Sequence, residues 1–123
     1  MANTRKFKTK DSGKRVVFAT GMNRDVTGDK IRYDLVIPLD SVDNMFTRWA
    51  ALMTRGAKKY GFRNWEKAKT AEEEARFRES AFRHFMQWYL GIDKDEDHAA
   101  AIFFNVQGAE YAKRRSQTLT HLN

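Results

Sequence analysis

The stretch TAEEEARFRESAFRHFMQWYLG, residues 70–91, decides the fold of this chain. Thr70 and Glu73 have the spacing of a capping box, in which each side chain accepts a hydrogen bond from the other residue's backbone N–H. Apolar residues then recur every three or four positions up to Gly91, a residue that commonly ends helices. These apolar positions are Phe77, Ala81, Phe85, Trp88 and Leu90. The stretch therefore predicts one long amphipathic helix.

Another helix is predicted before this one. Apolar side chains recur at helical spacing through residues 41–60. Asp40 or Ser41 can cap the start of this helix, and Gly61 marks its end. The preceding segment, residues 16–37, has β-branched and aromatic runs separated by glycines. This pattern indicates a short β-hairpin or simply extended chain.

A third helix is predicted after Asp93 or Asp95, either of which can cap it, and it should run up to the basic residues 113–115. The connection of residues 91–97 is short, so this helix should pack antiparallel to the one before it. Three helices after an extended start favour an all-α bundle over a mixed sheet fold. We therefore predict an all-α helical bundle of three main helices.

Charge is distributed unevenly along the 123 residues, whose formal net charge is +7. Residues 1–15 carry +5 and residues 113–115 carry +3, which leaves residues 16–112 close to neutral. A nucleic-acid-binding protein would be expected to carry its positive charge across the folded body. We therefore expect no nucleic-acid partner. A protein that bound DNA through its basic arms would show a DNA affinity that falls steeply with salt concentration.

The composition indicates one folded domain in a reducing compartment. We predict a flexible basic arm over residues 1–15, a single helical domain over 16–115 and a C-terminal tail over 116–123. The chain has no cysteine, which excludes disulfides and thiolate zinc sites. It also lacks an apolar run near the roughly 20 residues that span a bilayer, so we expect no membrane contact and a cytoplasmic location.

Polar residues interrupt the apolar pattern of the second and third helices. In the stretch ESAFRH, residues 79–84, Glu79 and Arg83 are four positions apart and can pair, and the same spacing relates Ser80 to His84. In the third helix His98 and Asn105 are seven positions apart, so both lie on nearly the same apolar face. Buried polar groups need partners, which makes this face a candidate site.

Antiparallel packing would bring the ESAFRH face close to the acidic residues 93–97. Carboxylate oxygens from two helices suit Mg²⁺, whose usual second partner in proteins is a polyphosphate. The basic residues of the stretch 55–67 would then stabilise phosphate charge beside the metal. The pattern is typical of a metal–phosphate site.

Structural explanations for the same residues stay open. The acidic residues 93–97 can cap a helix and favour its dipole, and Glu79 with Arg83 can be a solvated ion pair. His84 and His98 can be hydrogen-bonded structural histidines. The aromatic residue Trp65 can belong to the core or stack on a base.

Four blocks of the sequence together resemble a known family. They are TGMNRDVTGDKIRYDL (20–35), GAKKYGFRNWEK (56–67), RESAFRHFMQWYLG (78–91) and DEDHAAAIFFN (95–105). In this order they resemble the dATP/dGTP diphosphohydrolase-like family, which is common in bacteriophage genomes and related to the all-α, MazG-type nucleoside triphosphate pyrophosphohydrolases. The resemblance covers roughly residues 16 to 110. It implies a MazG-like fold and, if a phage encodes the protein, the host cytoplasm as its location.

The resemblance implies a Mg²⁺-dependent enzyme, with Mn²⁺ as a possible substitute, that cleaves a purine deoxynucleoside triphosphate to the monophosphate and pyrophosphate. It also implies a homo-oligomer, which we expect to be a dimer or tetramer. Glu79 and Asp97 would be metal ligands or activate water, with Glu96 or Asp95 as a third carboxylate. The substrate-binding residues would be Arg32, which could reach a neighbouring subunit's site, and Lys59, Arg63, Asn64, Trp65, Arg83, His84, His98 and Asn105.

One departure from the family motivates an alternative function. The MazG-type pattern has EExxE on one helix and ExxD on the next, whereas here Glu72 and Glu79 are seven residues apart. His98 also stands three residues after Asp95, where a carboxylate is expected. The alternative is a protein that binds or sequesters a nucleotide or nucleotide signal without hydrolysing it.

Overall fold

A computed structural model describes residues 6–26, 28, 30–39 and 42–122 of the chain, and its described side chains end at residue 117. The chain divides into two compact units, Met1–Leu35 and Val36–Asn123. Part of the predicted basic arm and both predicted caps of the first helix, Asp40 and Ser41, lie outside the described residues.

The first unit contains the predicted β-hairpin. Strand β1, Arg15–Val17, pairs antiparallel with strand β2, Asn23–Asp25, with Val16 opposite Arg24. The Asp25 carboxylate accepts a hydrogen bond from the backbone N–H of Ser12 at 3.1 Å. The second apolar run, residues 31–37, adds no strand to this sheet, which contains only β1 and β2 among the described residues. That run instead contains the 3-10 helix Tyr33–Val36.

The second unit consists mainly of three α-helices, which confirms the predicted all-α bundle. Helix α1 is Met45–Tyr60, helix α2 is Ala71–Leu90 and helix α3 is His98–Leu122. A 3-10 helix, Asn64–Lys67, lies between α1 and α2 and will be called the Trp65 segment.

Helices α1 and α2 end at the predicted glycines. Gly61 and Gly91 adopt φ values of 92° and 68°, which residues with a Cβ rarely reach. At the start of α2 the predicted capping box of Thr70 and Glu73 is present in both directions. Helix α1 begins later than predicted, because the Asn44 side chain accepts a hydrogen bond from the Thr47 N–H at 2.9 Å and so caps the helix there.

The predicted caps of α3, Asp93 and Asp95, are wrong. Asp97 immediately precedes the helix, and its carboxylate accepts a hydrogen bond from the backbone N–H of Ala100 at 3.2 Å. Asp93 instead adopts a left-handed backbone conformation in the connection, where its carboxylate accepts a hydrogen bond from Gln87 at 2.9 Å. Helix α3 also continues to Leu122, past residue 115 where the prediction ended the helical domain.

Small residues let α2 and α3 pack closely. A Cβ added at Gly108 of α3 would lie 2.5 Å from the Phe77 ring of α2, well inside contact distance. Among the residues whose side chains are described, the buried hydrophobic ones are alanines, four of them on α3: Ala68, Ala100, Ala101, Ala109 and Ala112. Among the described residues no large side chain is fully buried. The missing side chain at Gly108 thus leaves room for the Phe77 ring between the two helices.

Candidate functional site

One cleft of the helical unit is surrounded by α1, the Trp65 segment, α2 and the start of α3. Its volume is about 530 Å³, within the range of small-molecule sites. Its cationic lining residues are Arg55, Lys59, Arg63 and Arg83. Its acidic lining residues are Asp95, Glu96 and Asp97. The cleft can therefore bind an anionic ligand together with a cation.

Arg63 enters the cleft from a strained backbone position. Its φ of 57° is left-handed, which is uncommon for a residue other than glycine and occurs frequently at functional sites. The Arg63 guanidinium forms an ion pair with Glu66 of the Trp65 segment. The Arg63 side chain is otherwise 77% exposed, so it can reach a ligand by exchanging this partner.

Asp97 is held by α1. The Arg48 guanidinium donates hydrogen bonds to both of its carboxylate oxygens, from Nε at 2.9 Å and from Nη2 at 2.6 Å. The Arg48 guanidinium, together with the N–H of Ala100, holds the pKa of Asp97 below its usual value, and the charge of Arg55 acts in the same direction. Asp97 is therefore an ionised carboxylate whose oxygens already have donors.

Two histidines and an asparagine form the polar part of the cleft wall and its support. Nδ1 of His84 lies 2.9 Å from Nδ1 of His98, and Nε2 of His98 lies 2.6 Å from the backbone oxygen of Asp93. His98 is only 5% exposed and Asn105 only 7%. The Asn105 amide donates to the Ala101 backbone oxygen at 2.8 Å, which leaves its own oxygen available as an acceptor.

Burial lowers the pKa of His84. The positive charges of Arg83 and, when protonated, of His98 act in the same direction, and the carboxylate of Glu96 opposes them. The His84 imidazole is therefore neutral at neutral pH, and a neutral imidazole can accept a hydrogen bond.

Trp65 lies against aromatic residues of α3. Its ring centroid is 5.1 Å from that of Tyr111 and 6.4 Å from that of Phe104, both in edge-on geometry. Arg115 of α3 packs over the Tyr111 ring and donates hydrogen bonds to the backbone oxygens of Glu66 and Ala68. These contacts fix the Trp65 segment on α3 and place an aromatic residue in the lining of the cleft.

The comparison with protein families identifies the chain. A sequence model of the family described as dATP/dGTP diphosphohydrolase, N-terminal, matches residues 20–120. The chain belongs to this family. No curated protein and no solved structure matches it. The match confirms the resemblance predicted from the four sequence blocks, and the family name implies a hydrolase acting on nucleotides. No described helix is both long and apolar enough to cross a membrane.

The cleft of this dATP/dGTP diphosphohydrolase family member contains most of the predicted site residues. The predicted residues that line it are Lys59, Arg63, Asn64, Trp65, Arg83, His84, Glu96, Asp97 and Asn105. His98 supports His84 from α3. Arg32 belongs to the first unit, where it pairs with Asp34 at 2.7 Å. Glu79 falls outside the described lining; its side chain is 66% exposed and lies 3.6 Å from Arg76.

The predicted metal ligands do not meet as one group. Among the described residues no set of three or more His, Cys, Asp or Glu side chains could hold a metal ion. Asp97 is bonded to Arg48, and Glu79 is outside the lining of the cleft. Asp95 and Glu96 line the cleft, and no side-chain hydrogen bond or ion pair holds either of them within the described part of the chain.

Sequence reasoning missed Arg48 as the partner of Asp97. It included Arg55 only as part of the basic stretch 55–67, and it gave Tyr60 of the same stretch no role of its own. Arg48 stands next to Trp49 at the edge of the apolar stripe of α1, and a charged residue in that position needs a partner. Arg55 is seven residues further along and so lies on nearly the same helix face. The periodicity of α1 could therefore have indicated both arginines.

Proposed function

We propose that this protein hydrolyses a purine deoxynucleoside triphosphate, dATP or dGTP, to the monophosphate and pyrophosphate. The supporting observation is the cleft in which four cationic side chains and the carboxylates of Asp95 and Glu96 face one ligand-sized space. A triphosphate with a bound cation needs both kinds of group. The family membership gives the nucleotide and the hydrolase class.

The cationic lining residues would bind the phosphate chain. Guanidinium groups such as Arg55 and Arg83 match phosphate oxygens in pairs, whereas Lys59 acts as a point charge. Because pyrophosphate leaves with additional negative charge, donors placed beside it favour the transition state over the bound substrate. Arg63 would join them after releasing Glu66.

Asp95 and Glu96 fit a metal ion that enters with the triphosphate. Mg²⁺ commonly takes one or two protein carboxylates and fills its other positions with water and phosphate oxygens, so a set of three protein ligands is unnecessary. When bound, Mg²⁺ or Mn²⁺ would neutralise charge on the phosphate oxygens. The catalytic role of Glu79 and Asp97 stays a prediction, since Asp97 is paired with Arg48 and Glu79 lies outside the described lining of the cleft.

The nucleoside would occupy the part of the cleft near the Trp65 segment. Trp65 offers an aromatic surface, and Asn64 with Asn105 offers amide groups. These residues, together with His84, would determine which base and which sugar the cleft binds. Placing the base there leaves the charged residues of α1 and α3 to the phosphates.

The experiment is an incubation of the full chain with dATP, dGTP and the pyrimidine triphosphates in Mg²⁺ or Mn²⁺, with products separated by ion exchange. We expect monophosphate and pyrophosphate from the purine substrates. Removing both carboxylate charges with Asp95→Asn and Glu96→Gln should lower turnover by at least about a hundredfold, as losing a transition-state charge contact does. The matched control is Glu110→Gln on the exposed face of α3, which should keep full turnover.

A second function is favoured by the pairing of Asp97 with Arg48. If that carboxylate is purely structural, the cleft binds a nucleotide without turning it over. Calorimetry distinguishes the two proposals: metal-independent binding of an intact triphosphate supports a binding protein. Triphosphates that neither bind nor react would contradict both.

We also propose that the protein is a homo-oligomer, a dimer or tetramer. The described residues include no fully buried large side chain, and α2 exposes aromatic residues on one face. Phe82 and Tyr89, seven residues apart, are 68% and 72% exposed, and Phe85 stacks on Tyr89 with centroids 6.2 Å apart. A second copy would remove this apolar surface from water.

A further inference from the structure

Helix α1 has a glycine in its interior that its backbone does not require. Gly56 lies well inside Met45–Tyr60, before the Gly61 at which the helix ends. Its φ is not positive, so an alanine could adopt the same conformation. Apart from proline, glycine is the residue least favourable to a helix interior. The presence of Gly56 therefore needs a reason outside the geometry of α1.

Packing within the chain does not supply that reason. At Gly108 of α3 a Cβ would lie 2.5 Å from the Phe77 ring, so the packing of α2 against α3 requires a glycine there. At Gly56 a Cβ would meet no atom of the described residues within 4 Å, beyond its own stretch of helix backbone and its two chain neighbours. The folded chain thus leaves the space beside Gly56 empty.

This empty space belongs to the cleft. Gly56 lines the cleft, and so do the residues three and four positions to either side of it, Leu52, Met53, Lys59 and Tyr60. Residues at these spacings share one face of a helix. Gly56 is therefore at the centre of the α1 face that forms the cleft wall. Its missing side chain enlarges the cleft at that point.

The wall at Gly56 suits an uncharged ring better than a phosphate. Inside a helix each backbone N–H is bonded to the carbonyl four residues earlier, so Gly56 has no free donor for a phosphate oxygen. It presents only its Cα and the backbone, with the apolar side chains of Leu52 and Met53 one turn away. Phosphate oxygens bind most strongly to charged donors, which Arg55 and Lys59 provide in the same cleft.

We propose that Gly56 is a specificity-determining residue, whose missing side chain lets the nucleoside of the ligand pack directly against the backbone of α1. This inference rests on the proposed function and names one wall of its nucleoside site. Trp65 lines the same cleft and offers an aromatic surface to the same part of the ligand. A side chain at position 56 would occupy space that the base or the sugar needs.

The test is the substitution Gly56→Ala in the full chain. The variant should be more resistant to urea than the wild type, because alanine favours the helix and meets no protein atom within 4 Å. It should nevertheless bind dGMP at least about tenfold more weakly, because the added methyl group overpacks the filled cleft. A residue with a purely structural role would not change stability and affinity in opposite directions. Unchanged dGMP affinity in calorimetry would overturn the inference.

A larger side chain and a matched control test the dependence on position. Gly56→Met should weaken dGMP binding further than Gly56→Ala does. The control is Ala51→Met, which adds a methionine to an exposed position of the same helix, outside the described lining of the cleft. Ala51→Met should bind dGMP as the wild type does, and equal losses at positions 51 and 56 would overturn the inference.

A second ligand tests the assignment to the nucleoside. Pyrophosphate has no base or sugar, so Gly56→Ala should bind it as tightly as the wild type does. Equal losses for dGMP and pyrophosphate would mean that the methyl group disturbs the whole cleft, and would overturn the assignment.

The other outcomes separate this inference from the proposed function. If a second copy of the chain fills the space instead, Gly56→Met changes the sedimentation of the protein and leaves dGMP affinity unchanged, which overturns the inference alone. A wild-type chain that binds no nucleotide would overturn both the proposed function and this inference. A wild-type chain that binds dGMP, with variants that bind it equally well, would leave the proposed function intact and overturn only the role of Gly56.

Discussion

Arg48 of α1 binds both carboxylate oxygens of Asp97, the residue that caps α3. The two residues are 49 positions apart in sequence, and their paired hydrogen bonds join the first and third helices. Asp97 therefore has three donors from two helices. Asp97 thus links α1 to the first turn of α3.

Replacing Arg48 by alanine should lower the free energy of unfolding by about 1–2 kcal/mol, because Asp97 loses a bidentate charged partner. The value is modest since the Arg48 side chain is 39% exposed and water can replace part of the interaction. Urea denaturation measures the change. The control is Arg76→Ala, whose partner Glu79 is exposed, and equal losses in the two variants would contradict a special role for Arg48.

Two glycine substitutions should change stability in opposite directions. Gly108→Ala places a methyl group 2.5 Å from the Phe77 ring and should destabilise the protein by about 1–3 kcal/mol. Gly56→Ala, inside α1, meets nothing within 4 Å and should stabilise by about 0.5–1 kcal/mol. Thermal unfolding of both variants tests this prediction. A neutral Gly108→Ala would mean that α2 and α3 can separate at little cost.

The elements that sequence predicted best depend on near neighbours. The capping box of Thr70 and Glu73 and the end of α2 at Gly91 involve residues within one turn, so local rules suffice. The start of α1 was predicted less well, because several consecutive residues can cap a helix and Asn44 was chosen over earlier candidates.

The site shows the same division. Antiparallel packing of α2 and α3 predicted that ESAFRH and DEDH would meet, and His84 does contact His98. The pairing of Asp97 with Arg48 could not be predicted in this way, because Arg48 belongs to α1. The rotation of α1 about its axis depends on the packing of Trp49 against Phe103 of α3. Long-range pairs of this kind need the tertiary structure.

Stability should depend on pH through His84. Its pKa is lowered in the folded protein from a usual value of 6.5, so the unfolded chain binds the proton more readily. The free energy of unfolding should therefore be highest above pH 6.5, and should fall as pH decreases until the folded imidazole is also protonated. Denaturation of wild type and His84→Gln between pH 5 and pH 8, a range of about 3 units around that pKa, measures the effect. The free energy of unfolding of His84→Gln should fall less with decreasing pH than that of the wild type. Identical pH dependence in the two proteins would contradict the prediction.

The aromatic face of α2 should control assembly. Phe82→Glu with Tyr89→Glu places two charges on a face that would be buried between copies, and should shift the protein to a monomer in sedimentation velocity. Phe62→Glu is the matched control, since Phe62 is 90% exposed but lies in the connection after α1. A wild-type chain that sediments as a monomer at micromolar concentration would contradict the proposed oligomer.

Arg115 should affect ligand binding although it does not belong to the described lining of the cleft. Its guanidinium donates to the backbone oxygens of Glu66 and Ala68 and packs over Tyr111, which contacts Trp65. Arg115→Leu removes the two hydrogen bonds that fix the Trp65 segment, so ordering that segment becomes part of the cost of binding. We expect dGMP affinity to fall about tenfold, equivalent to one or two neutral hydrogen bonds.

The control for Arg115→Leu is Lys113→Leu, which removes a positive charge from the exposed side of the same helix. If affinity depended on net charge alone, both variants would weaken dGMP binding equally, and their affinities would converge at high salt. If the Trp65 segment must be held in place, only Arg115→Leu loses affinity and the loss persists at high salt. Calorimetry at two salt concentrations separates these outcomes, and equal losses would show that Arg115 acts through its charge.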